Sequence, residues 1–290
     1  MNIILLADVI LTSIAIIWLI AASTTDIKKR EVADWISYSL IAIALVTKTI
    51  LSIILSNFSF LFYSLIGLGC FLVLALILYY SKIVGGGDAK LLIGLGACFA
   101  IKPIFVITHL GIFNQFYTEP FLVTFIINLL FIGAVYGILF SIGISLKNKK
   151  RFLKEYKLSE KNNYKYLYFA MAAVLLIFAI MFRMYHLIVL AVIFVVLPYI
   201  FSIVKTSEQL MIKQKSWKEL TEGDWLAKSI KIKNRTLNQT ADGLTKKDIL
   251  LIKKANKKVP IKDGVPFVPA ILIALLISLF LGNILLLIVA

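Results

Sequence analysis

The sequence predicts an all-α polytopic membrane protein of about eight spans, at least six, with a small cytoplasmic α/β domain inserted before the last span. Three observations predict it. Of the 290 residues 61% are hydrophobic and only 16% charged, with a mean hydropathy of +0.95, whereas a soluble domain is nearer half apolar and a quarter charged. The apolar residues gather in runs of about 20, the length that carries a helix across a hydrocarbon core roughly 30 Å thick. The net charge of +16 lies almost wholly in the gaps between those runs. Together these exclude a soluble globular enzyme, a disordered chain and a disulfide-stapled secreted domain. Cys70 and Cys98 both fall in apolar runs without a C-x-x-C partner, so neither a structural disulfide nor a thiolate metal site is expected.

The expected spans are Ile3–Ala22, Trp35–Leu55, Phe58–Tyr80, Ala89–Ile107, Phe121–Leu146, Tyr166–Phe182, Leu187–Val204 and Pro266–Ala290. The first reads as a span rather than a cleavable signal. No basic residue precedes its apolar core, and Asp26-Ile27-Lys28-Lys29-Arg30 follows where a small-residue cleavage site would stand. Tyr166–Phe182 and Leu187–Val204 are short and separated by four residues, Arg183 to His186. One continuous helix over both would run about 57 Å at 1.5 Å per residue, too long for a single crossing. A tight hairpin of two spans keeps the basic segments on either side of it in one compartment.

Orientation follows from lysine and arginine, which favour the cytoplasmic side. Alternating the spans puts Ser23–Asp34, Ser81–Asp88, Lys147–Lys165 and Lys205–Val265 on one face. Of the 31 basic residues only Lys48, Lys90, Lys102 and Arg183 fall outside these four segments, and Lys90 lies just inside the fourth run on the same face. That face is therefore expected to be cytoplasmic, with both termini outside and the basic loops against an anionic inner leaflet. Juxtamembrane lysines account for the charge, so no nucleic-acid partner is expected.

The domains expected are a membrane domain over 1–204 with its catalytic core in 1–107, a small cytoplasmic domain over 205–263, and a C-terminal transmembrane helix over 264–290. In the insert, Thr245-Lys246-Lys247-Asp248 resembles a capping box with Asp in place of Glu. It predicts a helix from about Lys246 to Lys257. Ser207–Leu220 is a second candidate helix, and Trp225–Ile232 mixes strand-like alternation with helix formers.

Two carboxylates carry the chemistry. Asp26 sits at the cytoplasmic end of the first span, and Asp88 at the cytoplasmic start of the fourth, after Gly85-Gly86-Gly87. An ionisable residue at a membrane boundary is costly unless hydrated, paired or used. Taken alone, Asp26 reads equally as a solvated juxtamembrane charge and Asp88 as a helix cap. Three consecutive glycines exceed what a cap needs. They allow unusual backbone angles and close approach of another chain, and leave room for an extended peptide beside Asp88. Two opposed carboxylates suit peptide hydrolysis because they cannot both ionise cheaply and so share one proton. The ionised one activates water and the other protonates the carbonyl oxygen. No metal or cofactor is expected, since His109 and His186 are isolated and assigned to the outer side.

The residues then carry a resemblance. Gly85-Gly86-Gly87-Asp88-Ala89-Lys90-Leu91-Leu92 looks like the G-x-G-D motif of intramembrane aspartyl proteases. Asp26-Ile27-Lys28-Lys29-Arg30-Glu31-Val32-Ala33-Asp34-Trp35 looks like the first-aspartate segment of the type IV prepilin peptidases. Leu220 to Leu226, Gly243 to Ile249 and Val265-Pro266-Phe267-Val268-Pro269-Ala270 look like the later chain of the archaeal prepilin and preflagellin peptidases. The resemblance implies that Asp26 and Asp88 form a catalytic pair. It implies partners too: type IV pilin-like or flagellin-like precursors, whose short basic leader is cleaved at the cytoplasmic face. Six spans are usual in that archaeal group, so the hairpin 166–204 is an addition.

Lesser candidates surround this pair. Glu31 and Asp34 could attract a basic leader or simply balance their neighbours, and Lys90 could act on the dyad or snorkel at the boundary. Glu222 and Asp224 read as cap or turn residues. Gly133 and Gly137 suit close helix packing, and Asn128 reads as a helix–helix hydrogen-bond donor. Asp8 is expected at the outer interface. Two rival functions stay open at this level: an ion-coupled transporter or channel using the same aspartates, and a non-catalytic scaffold for pilin-like helices.

Overall fold

The computed structural model describes residues 3–103, 108–109, 112, 120–159, 164–232, 235–240 and 242–289. It is mostly helical. Among the described residues six helices are long and apolar enough to cross a membrane: α1 (Ile3–Lys29), α2 (Asp34–Ile54), α3 (Ser59–Tyr80), α5 (Phe121–Lys147), α7 (Tyr164–Phe182) and α8 (His186–Leu210). Apolar composition alone explains them, because a backbone without water must close its hydrogen bonds internally.

The fourth and eighth expected spans differ from expectation. The fourth is the shorter helix α4 (Gly86–Phe99), 14 residues or about 21 Å long. The end of that expected span, residues 104–107, lies outside the described residues. The last is broken into α10 (Val268–Phe280) and α11 (Ile284–Val289), and Gly282 has φ +79° at the break. Asn128 of α5 satisfies the backbone freed there. Its Nδ2 donates to Ser278 Oγ and to the Gly282 carbonyl, each at 2.8 Å, and its Oδ1 accepts the Ile284 amide at 2.9 Å. The donor role expected of Asn128 is thus observed, together with an acceptor role.

The chain groups into two compact units. The first holds residues 1–135, 240–242 and 264–290. Its core joins Leu19, Leu40, Phe71, Leu91, Leu95, Phe125 and Leu275, with α4 in the middle. Glycine lets α4 sit there. A Cβ on Gly96 would lie 2.5 Å from the Gly67 carbonyl oxygen, and one on Gly94 would lie 3.0 Å from the Leu40 side chain. Ser64 of α3 donates to the Ala97 carbonyl at 2.8 Å, closing the same contact.

The second unit holds residues 136–239 and 243–263. It contains the end of α5, the basic helix α6 (Lys149–Ser159), the hairpin of α7 and α8, and a small mixed domain. In that domain β1 (Ile212–Lys215) pairs antiparallel with β4 (Val259–Lys262), and β2 (Ile230–Ile232) with β3 (Arg235–Leu237). Helix α9 (Lys246–Ala255) covers a core of Leu220, Leu226, Ile232, Leu244, Ile252 and Ile261. Its start is the expected one. The Thr245 amide donates to Asp248 Oδ2 at 3.0 Å, and Thr245 Oγ accepts the Asp248 amide at 3.3 Å.

The helix expected over Ser207–Leu220 is not formed. Helix α8 ends at Leu210 and the chain turns into β1. Pairing with β4, and ion pairs of Lys213 to Asp263 (2.7 Å) and Lys215 to Asp224 (3.1 Å), outweigh the local helical pattern. Because α8 runs unbroken from the span into this domain, no structural break falls near residue 204.

Candidate active site

Helix α1 buries Leu19, Ala22, Ser23 and Asp26, positions spaced three or four apart that form one stripe. Asp26 is therefore on the packed face and only 5% exposed. Its Oδ2 accepts the amide of Val268, the first residue of α10, at 3.1 Å. Arg30, one turn on, adopts a left-handed conformation (φ 60°) and donates from Nη1 to the Gly264 carbonyl at 3.1 Å. Two bonds therefore tie the end of α1 to the segment entering α10. A carboxylate at a helix N-terminus meets unpaired amides and the positive end of the helix dipole.

Asp88 is the third residue of α4 and 8% exposed. Its Oδ2 accepts the Gly85 amide at 3.1 Å, so Asp88 is not the N-cap that the sequence left open; Gly85 holds that position and Asp88 reaches back to it from the third residue of the helix. That bond does not exclude another role, because it uses one oxygen. The carboxylates of Asp26 and Asp88 interact electrostatically. In each, Oδ2 is held by a backbone amide.

Of the two uses expected of the Gly85–Gly87 run, close approach is seen and unusual backbone angles are not. Gly85 has φ −75° and ψ 164°, ordinary extended backbone, and Gly86 and Gly87 open α4 as helix. Among the described residues the positive-φ glycines are Gly223, Gly243 and Gly282. What the run supplies is close approach. A Cβ on Gly87 would lie 2.7 Å from the Val32 Cβ, in the loop between α1 and α2, and one on Gly86 would lie 3.6 Å from the Tyr79 ring.

The secondary candidates separate. Lys90 pairs with Asp34 (2.5 Å) and lies 5.1 Å from the centre of the Tyr38 ring. Its partner is thus Asp34 of α2. Glu31 is exposed beyond the end of α1. Asp224 accepts the Thr221 amide at 2.9 Å, and Glu222 pairs with Lys246 at 3.6 Å, so both serve the small domain. Gly133 packs on the Phe267 ring, where a Cβ would come within 3.1 Å, whereas Gly137 has open space. Asp8 is buried, and Lys48 of α2, also buried, interacts with it electrostatically.

Two contributors escaped the sequence reading: the Val268 amide, which bonds Asp26, and Asp242, which bonds Tyr79. A backbone amide leaves no side-chain signature. The proline pair of Val265–Pro269 did mark a helix start, which is the available signal for Val268.

A helical, multi-pass membrane protein with two interacting buried aspartates on separate helices is the class that fold and site define. Residues 13–142 match the model of the type IV leader peptidase family. That stretch contains both aspartates and the glycine run, so the resemblance drawn from the motifs holds over it. The preflagellin peptidase of Methanocaldococcus jannaschii is 31% identical over 143 residues, 47% of this chain and 61% of that one. Those of Methanococcus voltae and Methanococcus maripaludis are 30% identical over 149 residues and 35% over 114, covering 62% and 49% of their lengths and 51% and 39% of this chain. This chain thus spans about half to three-fifths of the curated relatives it matches. No solved structure matches it.

Proposed function

We propose that this chain is a membrane-embedded aspartyl endopeptidase that removes the short basic leader from pilin-like or flagellin-like precursors. The observation that carries the reading is a pair of buried aspartates on separate helices, each with one oxygen fixed by a backbone amide. Its placement within the type IV leader peptidase match supports the same reading. Asp26 and Asp88 share one proton. The ionised carboxylate takes a proton from water, whose oxygen attacks the scissile carbonyl carbon. The protonated carboxyl gives its proton to the carbonyl oxygen, and collapse of the tetrahedral intermediate delivers a proton to the leaving nitrogen.

Cleavage falls at the cytoplasmic face, with both termini outside. The one-sided distribution of lysine and arginine supports this orientation. Helix α6 carries Lys149, Lys150, Arg151, Lys154 and Lys157 beside Phe152, Leu153 and Tyr156, a composition suited to an anionic leaflet.

The test is cleavage of a leader-bearing precursor by the full chain and by Asp26→Asn and Asp88→Asn, separately, in membranes. Loss of processing in both variants, with normal insertion, is expected. Processing by either variant at the native rate sinks the dyad.

A further inference from the structure

Tyr79 stands in the last turn of α3 and has two neighbours that bear on the dyad. Its ring faces Gly86, where a Cβ would lie 3.6 Å from Tyr79 Cε2. Its hydroxyl donates to Asp242 Oδ1 at 2.8 Å. Asp242 comes from a segment, residues 240–242, that groups with the first unit although the chain on either side of it belongs to the second. Tyr79 also packs against the small cluster of Ala75, Val84 and Ala89, which flanks the glycine run on both sides in sequence.

The consequence is mechanical. The loop from Val84 to Gly87 carries no side chain of its own beyond Val84, so packing must be supplied by neighbours. The Gly85 amide in that loop is the donor that holds Asp88 Oδ2. A ring packed beside Gly86 restricts the glycine run. A phenol with free rotation about its side-chain bonds would not, and the hydrogen bond to Asp242 removes that freedom. Displacement of a reacting group by about 1 Å costs on the order of a hundredfold in rate, so a partial loosening is worth roughly tenfold.

We propose that Tyr79, fixed by Asp242, is a positioning residue that braces Gly85–Gly87 and so sets the orientation of the Asp88 carboxylate. The inference rests on the dyad reading above. A phenol–carboxylate contact of this kind has one obvious rival role: Asp242 could receive a basic leader residue, since a charge-assisted pair is stronger than a bond from a neutral phenol. The two roles separate under substitution. Asp242→Asn keeps an acceptor for Tyr79 and removes the charge, whereas Asp242→Ala removes both.

The full chain in lipid vesicles is assayed with a basic-leader precursor. For Asp242→Ala and Tyr79→Phe, kcat is expected to fall about tenfold with KM unchanged, and Asp242→Asn restores most of kcat. Hydrogen exchange of the amides from Gly85 to Ala89 is expected to accelerate in Asp242→Ala, a readout that does not depend on cleavage. Native kcat and native exchange in Asp242→Ala overturn the inference. So does a raised KM with native kcat in Asp242→Asn, which assigns Asp242 to the leader. Failure of the dyad reading looks different: Asp26→Asn or Asp88→Asn would still process the precursor, whatever Asp242 does.

Discussion

Helices α4 and α7 are both apolar, yet they live in opposite surroundings. Helix α4 buries nearly every residue from Asp88 to Phe99 and lies among α1, α2 and α3. Helix α7 packs chiefly on α8. Of its residues Ala172 and Ala179 are buried, whereas Leu167, Ile177, Ile180 and Met181 are well exposed. Composition does not separate the two, because lipid tails and protein interiors are equally apolar. Backbone access does. Gly87, Gly94 and Gly96 let neighbours approach α4 to contact distance, and α7 has no glycine. The comparison teaches that small residues mark a helix packed on most of its sides. Bulky aliphatic ones mark the helix that faces outward.

The sharpest way to break that contrast is to disable the carboxylates α1 and α4 carry. General acid–base groups contribute roughly 10²–10⁴-fold, and Asp26→Asn and Asp88→Asn should each lower the cleavage rate by that much. Because the pair acts as a unit, the double variant should fall little further, which a measured cycle decides. The shared proton should also give a bell-shaped rate against pH in the native chain. A rate flat through both ionisations would count against a dyad.

Next come the glycines. Gly96→Ala would push a methyl to 2.5 Å from the Gly67 carbonyl oxygen and from Phe71 Cβ. Overpacking of this kind costs about 1–3 kcal/mol or more, visible as a lowered unfolding temperature in detergent or lipid. At the glycine run the expected order is Gly87→Ala worse than Gly86→Ala, because the new methyl meets Val32 at 2.7 Å in the first and Tyr79 at 3.6 Å in the second. Equal cleavage by these two variants would mean that close approach at Gly87 does not matter. The smallest effect belongs to α7. Ile180 is 76% exposed, and Ile180→Ala should shift stability by less than about 0.5 kcal/mol. A larger loss would place a packed neighbour on that face.

The legible parts were those with a local cause. Long apolar runs announced α1, α2, α3, α5, α7 and α8, and Thr245 with Asp248 announced α9, because length and capping are properties of a few adjacent residues. The tail of α8 shows the opposite. From Ile212 onward a helical pattern became a strand because Val259–Lys262, far along the chain, offered a ladder. The burial of Asp8 and Lys48 likewise had no local signal.

The sequence by itself determined that this protein has several helices long and apolar enough to cross a membrane, that its basic residues fall mostly between the apolar runs, and that Asp26 and Asp88 stand near the ends of two helices. Hydropathy and motif spacing are one-dimensional quantities and need no fold. Only the tertiary structure decided that both carboxylates are buried and interact, that Val268 and Gly85 amides hold them, that Lys90 is engaged by Asp34, and that Asp242 reaches Tyr79. Each of those joins residues distant in the chain or uses a backbone amide that every residue type but proline possesses, so no reading of side chains along the sequence could have singled them out.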